Sequence, residues 1–120
     1  MIRISLLTIA LSFSFAACGG DDEGGENPNT CDTSTLTYDN FASGFFTSFC
    51  TDCHSGAASN RQGAPSSVDL ETLALVTTNK ARAKARAGAA TSMPPSNFSM
   101  TPSAQERADL VEWIDCGLKN

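Results

Sequence analysis

The sequence predicts an all-α domain of three or more helices joined by long loops. Apolar residues recur at helical spacing, serines open two of the helical stretches in a capping pattern, and strand-like alternation is weak throughout. A length of 120 residues fits one domain and a leader. With a net charge of −5, the chain lacks the basic footprint that nucleic-acid binding requires.

The first helix is predicted over residues 38–50. Apolar aromatic residues recur there at intervals of four positions, and one further phenylalanine widens the stripe. The stripe consists of Phe41, Phe45, Phe49 and Phe46. This spacing predicts an amphipathic helix.

The second helix is predicted to begin at Ser66 or Ser67, with Asp69 completing a capping box. Its apolar face would consist of Leu70, Leu73, Leu75 and Val76. The pattern weakens at Asn79, where we expect a break, and resumes until Gly88, where we expect the helix to stop.

The third helix has the clearest boundaries. Pro102 precedes Ser103, and Ser103 with Glu106 forms a capping box. The apolar face consists of Leu110, Val111, Trp113 and Ile114. Gly117 follows as the expected stop.

Long loops separate these helices, over about residues 55–65 and 89–102. A core this small, with this much loop, would be marginally stable without a covalent staple or a cofactor. We therefore expect something besides the chain to fill the centre of the domain.

Residues 1–17 have the pattern of a signal peptide. Arg3 gives a positive start, an apolar run follows over residues 4–15, and two alanines supply a cleavage site. The apolar run is too short to span a bilayer as a helix. The segment therefore predicts export.

Cys18 follows that cleavage site, and the preceding residues resemble a bacterial lipobox, although Phe15 stands where leucine is usual. The resemblance implies that Cys18 is lipidated and anchors the exported protein to a membrane, on the periplasmic or outer side of the cytoplasmic membrane. The alternative is an ordinary secreted protein cleaved nearby. Residues 18–35 are polar and predict a flexible tether, and residues 36–120 predict the folded domain.

The chemistry-bearing motif is the C-x-x-C-H run from Cys50 to His54, with Cys53 as its second thiol. This run is the attachment signature of c-type haem. Two thiols at this spacing can both reach the vinyl groups of one porphyrin, and the adjacent imidazole can then bind the iron. Covalent attachment outside the cytoplasm agrees with the predicted export.

Two other interpretations of the motif compete with haem attachment. A thioredoxin-like redox pair would need a βαβ context, which the sequence does not show. A structural zinc site could recruit Cys31 and Cys116 together with the motif thiols. Such a site would need a second closely spaced pair of ligands, which the sequence does not contain.

Residues 38–117 resemble the class I cytochromes c, with an aromatic N-terminal helix, C-x-x-C-H, a Met-Pro stretch and a C-terminal helix. The resemblance implies one covalent haem c, bound by His54 and by a methionine from a later loop. Met93 precedes two prolines and matches that element, and Met100 is the rival. The family's function is electron transfer, so we expect a carrier and not an enzyme.

The resemblance also implies partners around the haem. Pro65 would present its carbonyl to the proximal histidine, with a plain turn as the alternative. Arg61 would pair with a haem propionate, unless it is simply solvated. Because the terminal helices cross in this family, Cys31 and Cys116 could meet and form a disulfide in an oxidising compartment.

The expected partners are other redox proteins, such as cytochromes, an oxidase or a reductase, together with the membrane through the lipid anchor. A basic run could dock an acidic partner, although a solvated surface is the simpler interpretation. The run consists of Lys80, Arg82, Lys84 and Arg86. Two other functions stay open: a haem-based sensor or ligand-binding module, and a structural zinc-binding lipoprotein.

Overall fold

The computed structural model describes residues 28–120, so the predicted signal peptide and Cys18 lie outside the described residues. Its four α-helices are α1 (Pro28–Thr33), α2 (Ser43–Phe49), α3 (Leu73–Ala83) and α4 (Ala104–Asp115). Two π-helical turns extend them: Tyr38–Ala42 leads into α2, and Lys84–Ala89 continues α3. Residues 28–120 contain no strand, which confirms the predicted all-α class. No helix in this range is both long and apolar enough to cross a membrane.

The first predicted helix corresponds to the turn Tyr38–Ala42 followed by α2. Thr37 begins it with a reciprocal cap, in which the Asn40 amide donates to the Thr37 hydroxyl and the Thr37 amide donates to Asn40 Oδ1 at 2.8 Å. The cap satisfies amides that the first turn leaves without intrahelical acceptors. The helix therefore delivers Cys50 directly at its C-terminal end.

The predicted start of the second helix is wrong. Helix α3 begins at Leu73, and the Thr72 hydroxyl accepts from the Leu75 amide at 3.3 Å. The preceding residues bond elsewhere, since the Val68 amide donates to the Pro65 carbonyl and the Leu70 amide donates to the His54 carbonyl. Because these amides are bonded to the Pro65 turn and to His54 of the C-x-x-C-H run, residues 66–70 do not form the first turn of the helix.

The predicted break at Asn79 and stop at Gly88 are also wrong. Asn79 is buried inside α3, where its side-chain amide donates to the Leu75 and Asp69 carbonyls. Gly88 lies within the turn Lys84–Ala89, where a Cβ atom would come within 2.6 Å of Val111 Cγ2. The glycine therefore allows α4 to approach this turn closely, instead of ending the helix.

Helix α4 has the predicted start, because Ser103 and Glu106 form the capping box. It contributes the centre of the core, where Trp113 and Leu110 are fully buried. The Trp113 ring packs against Phe46 and Tyr38, each with a centroid separation of 6.3 Å. Phe45 packs against Phe46 in the same cluster, and Phe41 packs against Phe45.

Helix α1 lies in the stretch expected to be a tether. It is attached to the end of α4 by a disulfide between Cys31 and Cys116, with an S–S distance of 2.06 Å and a Cα–Cα distance of 5.1 Å. Lys119 Nζ donates to the carbonyls of Cys31 and Ser34 at 2.9 and 3.1 Å. A polar segment with little apolar surface is thus ordered by contacts with the chain's other end, which composition alone does not reveal.

Candidate haem site

A cavity of about 570 Å³ lies between the C-terminal end of α2, the loop that follows it, α3 with its π-helical turn, and the segment after Met93. This volume falls within the range of roughly 300–1,000 Å³ that is typical of cofactor sites. Cys50, Cys53, His54 and Met93 all line it. The structure therefore brings both predicted attachment thiols and both predicted iron ligands to one cavity.

The motif forms a tight turn directly after α2. The Cys50 amide donates to the Phe46 carbonyl, and the Cys50 carbonyl accepts from the amides of Cys53 and His54 at 3.2 and 2.9 Å. Both thiols are free and half-buried. Because the turn wraps back on the helix end, three reactive groups from five consecutive residues point towards the same space.

Burial raises the pKa of the Cys50 thiol to about 12, and the neighbouring Cys53 adds to the rise while the positive charge of Arg107 opposes it. Thiolate is the reactive form of cysteine, so the folded protein keeps this thiol protonated at neutral pH. A protonated thiol resists oxidation and disulfide exchange.

This pKa predicts slow alkylation of Cys50. At pH 8 the folded haem-free protein should hold roughly a thousandfold less Cys50 thiolate than an unfolded chain, because the pKa has moved from 9.0 to about 12. We expect Cys50 to react with iodoacetamide at least a hundredfold more slowly in buffer than in urea, measured by peptide mass spectrometry. Equal rates, in protein whose circular dichroism retains the helices, would contradict burial of the thiol.

His54 is oriented by a backbone carbonyl. Its Nδ1 lies 2.8 Å from the Val68 carbonyl oxygen, and a carbonyl can only accept, so Nδ1 carries the proton. That tautomer leaves the Nε2 lone pair for a metal, and such a bond fixes the ring and raises its basicity as a ligand. Pro65 was expected as this acceptor, and that expectation needs correction. The Pro65 carbonyl accepts from Arg61 and from the Val68 amide, and the turn it opens presents Val68 to the histidine.

Arg61 has a different role from the one expected. Its guanidinium donates to the carbonyls of Ser55, Ala64 and Pro65 at 2.5, 3.2 and 2.7 Å. It also pairs with Asp69 at 2.7 Å. With most of its donors engaged in this way, Arg61 braces the loop, and it also lines the cavity.

Two cations of the basic run also line the cavity, which the sequence pattern did not indicate. Arg82 and Arg86 are exposed and lie four residues apart along one face of the helix. Lys84, between them, points elsewhere and pairs with Asp115 at 2.6 Å. The run is therefore divided, with one lysine holding α4 and two arginines beside the cavity.

Met93 lines the cavity, and both its backbone amide and its backbone carbonyl form hydrogen bonds. Its amide donates to the Arg86 carbonyl at 3.0 Å, and its carbonyl accepts from Arg107 Nη1 at 2.8 Å. The Met93 side chain is 39% exposed at the cavity mouth, whereas Met100 is 50% exposed and is not part of the cavity wall. The geometry thus favours Met93 over Met100 as the residue that faces a cofactor.

The zinc interpretation required thiolates from Cys31 and Cys116, and the disulfide consumes both. Within the described part of the chain, no group of three or more histidine, cysteine, aspartate or glutamate side chains is arranged to hold a metal ion. The free thiols and the imidazole instead share one wall of a cavity large enough for an organic cofactor.

Comparison with known proteins gives no match for this chain, whether the search is made against protein-family models, curated proteins or solved structures.

Proposed function

We propose that this protein carries one haem, attached covalently through Cys50 and Cys53, with His54 and Met93 as iron ligands, and that it transfers electrons. One observation carries the proposal: Met93 stands 39 residues after His54 in the sequence, yet both line the cavity that the two motif thiols line. Cys50, Cys53 and His54 come from one five-residue run, so the independent support is that a methionine from a distant segment lines the same cavity.

The chemistry of the wall fits a haem. Aromatic and aliphatic side chains supply most of the lining, as a porphyrin's faces require, and they include Phe46, Phe49, Val68, Leu70 and Phe98. The thiols are unpaired, and the tautomer of His54 leaves Nε2 able to bind iron. When bound, the haem supplies a one-electron iron couple whose potential is raised by His/Met ligation.

The chain's own residues have distinct tasks in this proposal. The Val68 carbonyl orients His54, and Arg61 braces the loop that carries Val68. Pro94 and Pro95 restrict the backbone after Met93, which limits the positions of the thioether. A restrained ligand set favours electron transfer over chemistry at the iron, because the coordination changes little between oxidation states.

Arg82 and Arg86 are the cations that we propose for the haem propionates, in place of Arg61. Both line the cavity, and among the described residues neither side chain has a hydrogen-bond or ion-pair partner. Guanidinium groups bind carboxylates in a bidentate geometry. We propose that redox partners approach the protein at the exposed surface formed by Arg82 and Arg86.

We propose that the protein works outside the cytoplasm, as a lipoprotein anchored through Cys18. The disulfide between Cys31 and Cys116 supports an oxidising compartment, and c-type haem is attached in such a compartment. The lipidation itself rests on the leader pattern alone.

A ligand-binding sensor is the second candidate, and the 39% exposure of the Met93 side chain favours it. An exposed thioether is easier to displace with a small ligand than a buried one. The hydrogen bonds at both the amide and the carbonyl of Met93 favour the carrier instead, since they oppose movement of the segment.

The test is a pyridine haemochrome spectrum of protein made in a host with c-type maturation machinery. We expect a c-type spectrum that survives acid–acetone extraction in the wild type and that is lost in the C50A/C53A variant. A control cytochrome matured in the same host shows that the machinery works. Absence of covalent haem from the wild type, beside a loaded control, would overturn the proposed function.

A further inference from the structure

Arg107 is a buried cation in the interior of α4, with only 9% of its surface exposed. Among residues 28–120 the ion pairs are Arg61–Asp69 and Lys84–Asp115, and neither includes Arg107. Its Nη1 donates instead to two backbone carbonyls, Ala87 at 2.6 Å and Met93 at 2.8 Å. A buried charge without a carboxylate is costly, so hydrogen bonds to the charged form must offset that cost.

The two carbonyls belong to separate parts of the cavity wall. Ala87 lies in the π-helical turn Lys84–Ala89, and Met93 begins the segment that closes the cavity on the other side. One guanidinium nitrogen therefore ties the Met93 segment to the turn. The Met93 amide donates to the Arg86 backbone carbonyl, so of the two hydrogen bonds to the Met93 backbone only the one from Arg107 can be removed by a side-chain substitution.

Arg107 also stands in the apolar stripe of its helix. It precedes Leu110 by three residues and Ile114 by seven, so all three lie on one face. An apolar side chain at this position would pack in the core without needing a hydrogen bond. The arginine is therefore better explained by what it holds than by packing.

We propose that Arg107 is a positioning residue that holds the Met93 segment against the cavity and so keeps the Met93 thioether available to the iron. This inference rests on the proposed function. Its physical content is an equilibrium between a closed segment, with both Arg107 hydrogen bonds formed, and an open segment in which the thioether has left the site. Loss of the guanidinium shifts that equilibrium towards the open form.

The charge of Arg107 gives a second, separable effect. Its positive charge acts on Cys50, so its field reaches the cavity wall that carries the motif. The ferric centre carries one more positive charge than the ferrous centre, and a nearby buried cation therefore disfavours oxidation. Substitution by lysine retains this charge but carries it on a shorter side chain, so the ammonium does not reach the position of Nη1 that serves both carbonyls, whereas substitution by glutamine loses both the charge and the reach.

The experiment compares the variants R107Q and R107K with K80Q, which removes an exposed lysine outside the cavity wall. Haem content is measured first. The ferric proteins are then compared by the far-red absorption band of a methionine–iron bond and by cyanide affinity, and the reduction potential is measured by spectroelectrochemistry.

We expect both Arg107 variants to load haem but to lose part of the methionine band. A roughly tenfold larger open population should tighten cyanide binding roughly tenfold, because apparent affinity scales with the competent fraction. In R107Q the ratio of oxidised to reduced protein at a fixed potential should also rise roughly tenfold, a fall in potential of about 59 mV. R107K should keep most of the wild-type potential, and K80Q should match the wild type throughout.

Haem-loaded Arg107 variants with wild-type methionine bands and wild-type cyanide affinities would overturn the inference while leaving the proposed function intact. Failure of the wild type to load haem would overturn both. If R107Q does not fold, R107K decides the matter, because its shorter side chain should weaken the hold on the Met93 carbonyl and so tighten cyanide binding. Cyanide affinity in R107K equal to that of the wild type would then count against the positioning role.

Discussion

Replacing Cys31 and Cys116 together with serine should lower the free energy of unfolding by about 4–5 kcal/mol in the chain-entropy account of disulfides. The bond joins residues separated by 85 positions, so it restricts almost the whole described chain in the unfolded state. For a domain of this size, such a loss lowers the melting temperature by roughly 20 °C. Urea and thermal unfolding, followed by circular dichroism at equal haem content, measure both quantities.

The matched control for this prediction is the wild type under reducing conditions. Reductant should bring its stability down towards that of the double variant and should leave the variant unchanged. The pair must be replaced together, because a single serine would leave one unpaired thiol that can react. A double variant as stable as the oxidised wild type would show that the disulfide contributes nothing to the fold.

Replacing Met93 with alanine should convert a closed iron site into one that binds carbon monoxide. The Met93 side chain lines the cavity, and no other methionine of residues 28–120 does so. Removing the thioether therefore opens the sixth iron position in the proposed haem site, and it should also lower the reduction potential, since a methionine ligand raises it. Difference spectra of the reduced protein with and without carbon monoxide measure the first effect.

Met100→Ala is the matched control, because Met100 is also a loop methionine but is not part of the cavity wall. We expect its carbon monoxide difference spectrum and potential to equal those of the wild type. The opposite result, in which Met100→Ala binds carbon monoxide and Met93→Ala does not, would reassign the ligand. Rapid carbon monoxide binding by the wild type itself would favour the sensor over the carrier.

Local patterns predicted much of the fold because local contacts produce it. The cap at Ser103, the aromatic stripe of α2 and the end of α2 at Cys50 each depend on residues within about four positions of one another. The start of α3 could not be predicted in this way. Ser66 and Asp69 look like a helix cap, but Asp69 pairs with Arg61, which comes from the loop before it.

In the candidate site, too, residues close in the sequence could be predicted and contacts between separate segments could not. The C-x-x-C-H run indicated Cys50, Cys53 and His54 because the chemistry of attachment needs them side by side in the sequence. The acceptor of the His54 proton could not be found by spacing: Val68 follows it by 14 residues, and only the turn that begins at Pro65 decides which carbonyl faces the ring.

Arg107 had a sequence signal that was missed, since a charged residue on the apolar face of a helix needs partners. The sequence could not name those partners, because Ala87 and Met93 precede it by 20 and 14 residues. Arg61 lines the cavity, but the sequence could not show that nearby backbone carbonyls also hold its guanidinium.

By itself, then, the sequence determined the helical class and the C-x-x-C-H run, since both depend on residue identity and short spacing. Only the tertiary structure decided which carbonyl orients His54, which methionine faces the cavity and what Arg107 holds. The physical reason is that hydrogen bonds and burial at the cavity depend on how separate segments pack against one another. Several packing arrangements are compatible with the same local sequence patterns.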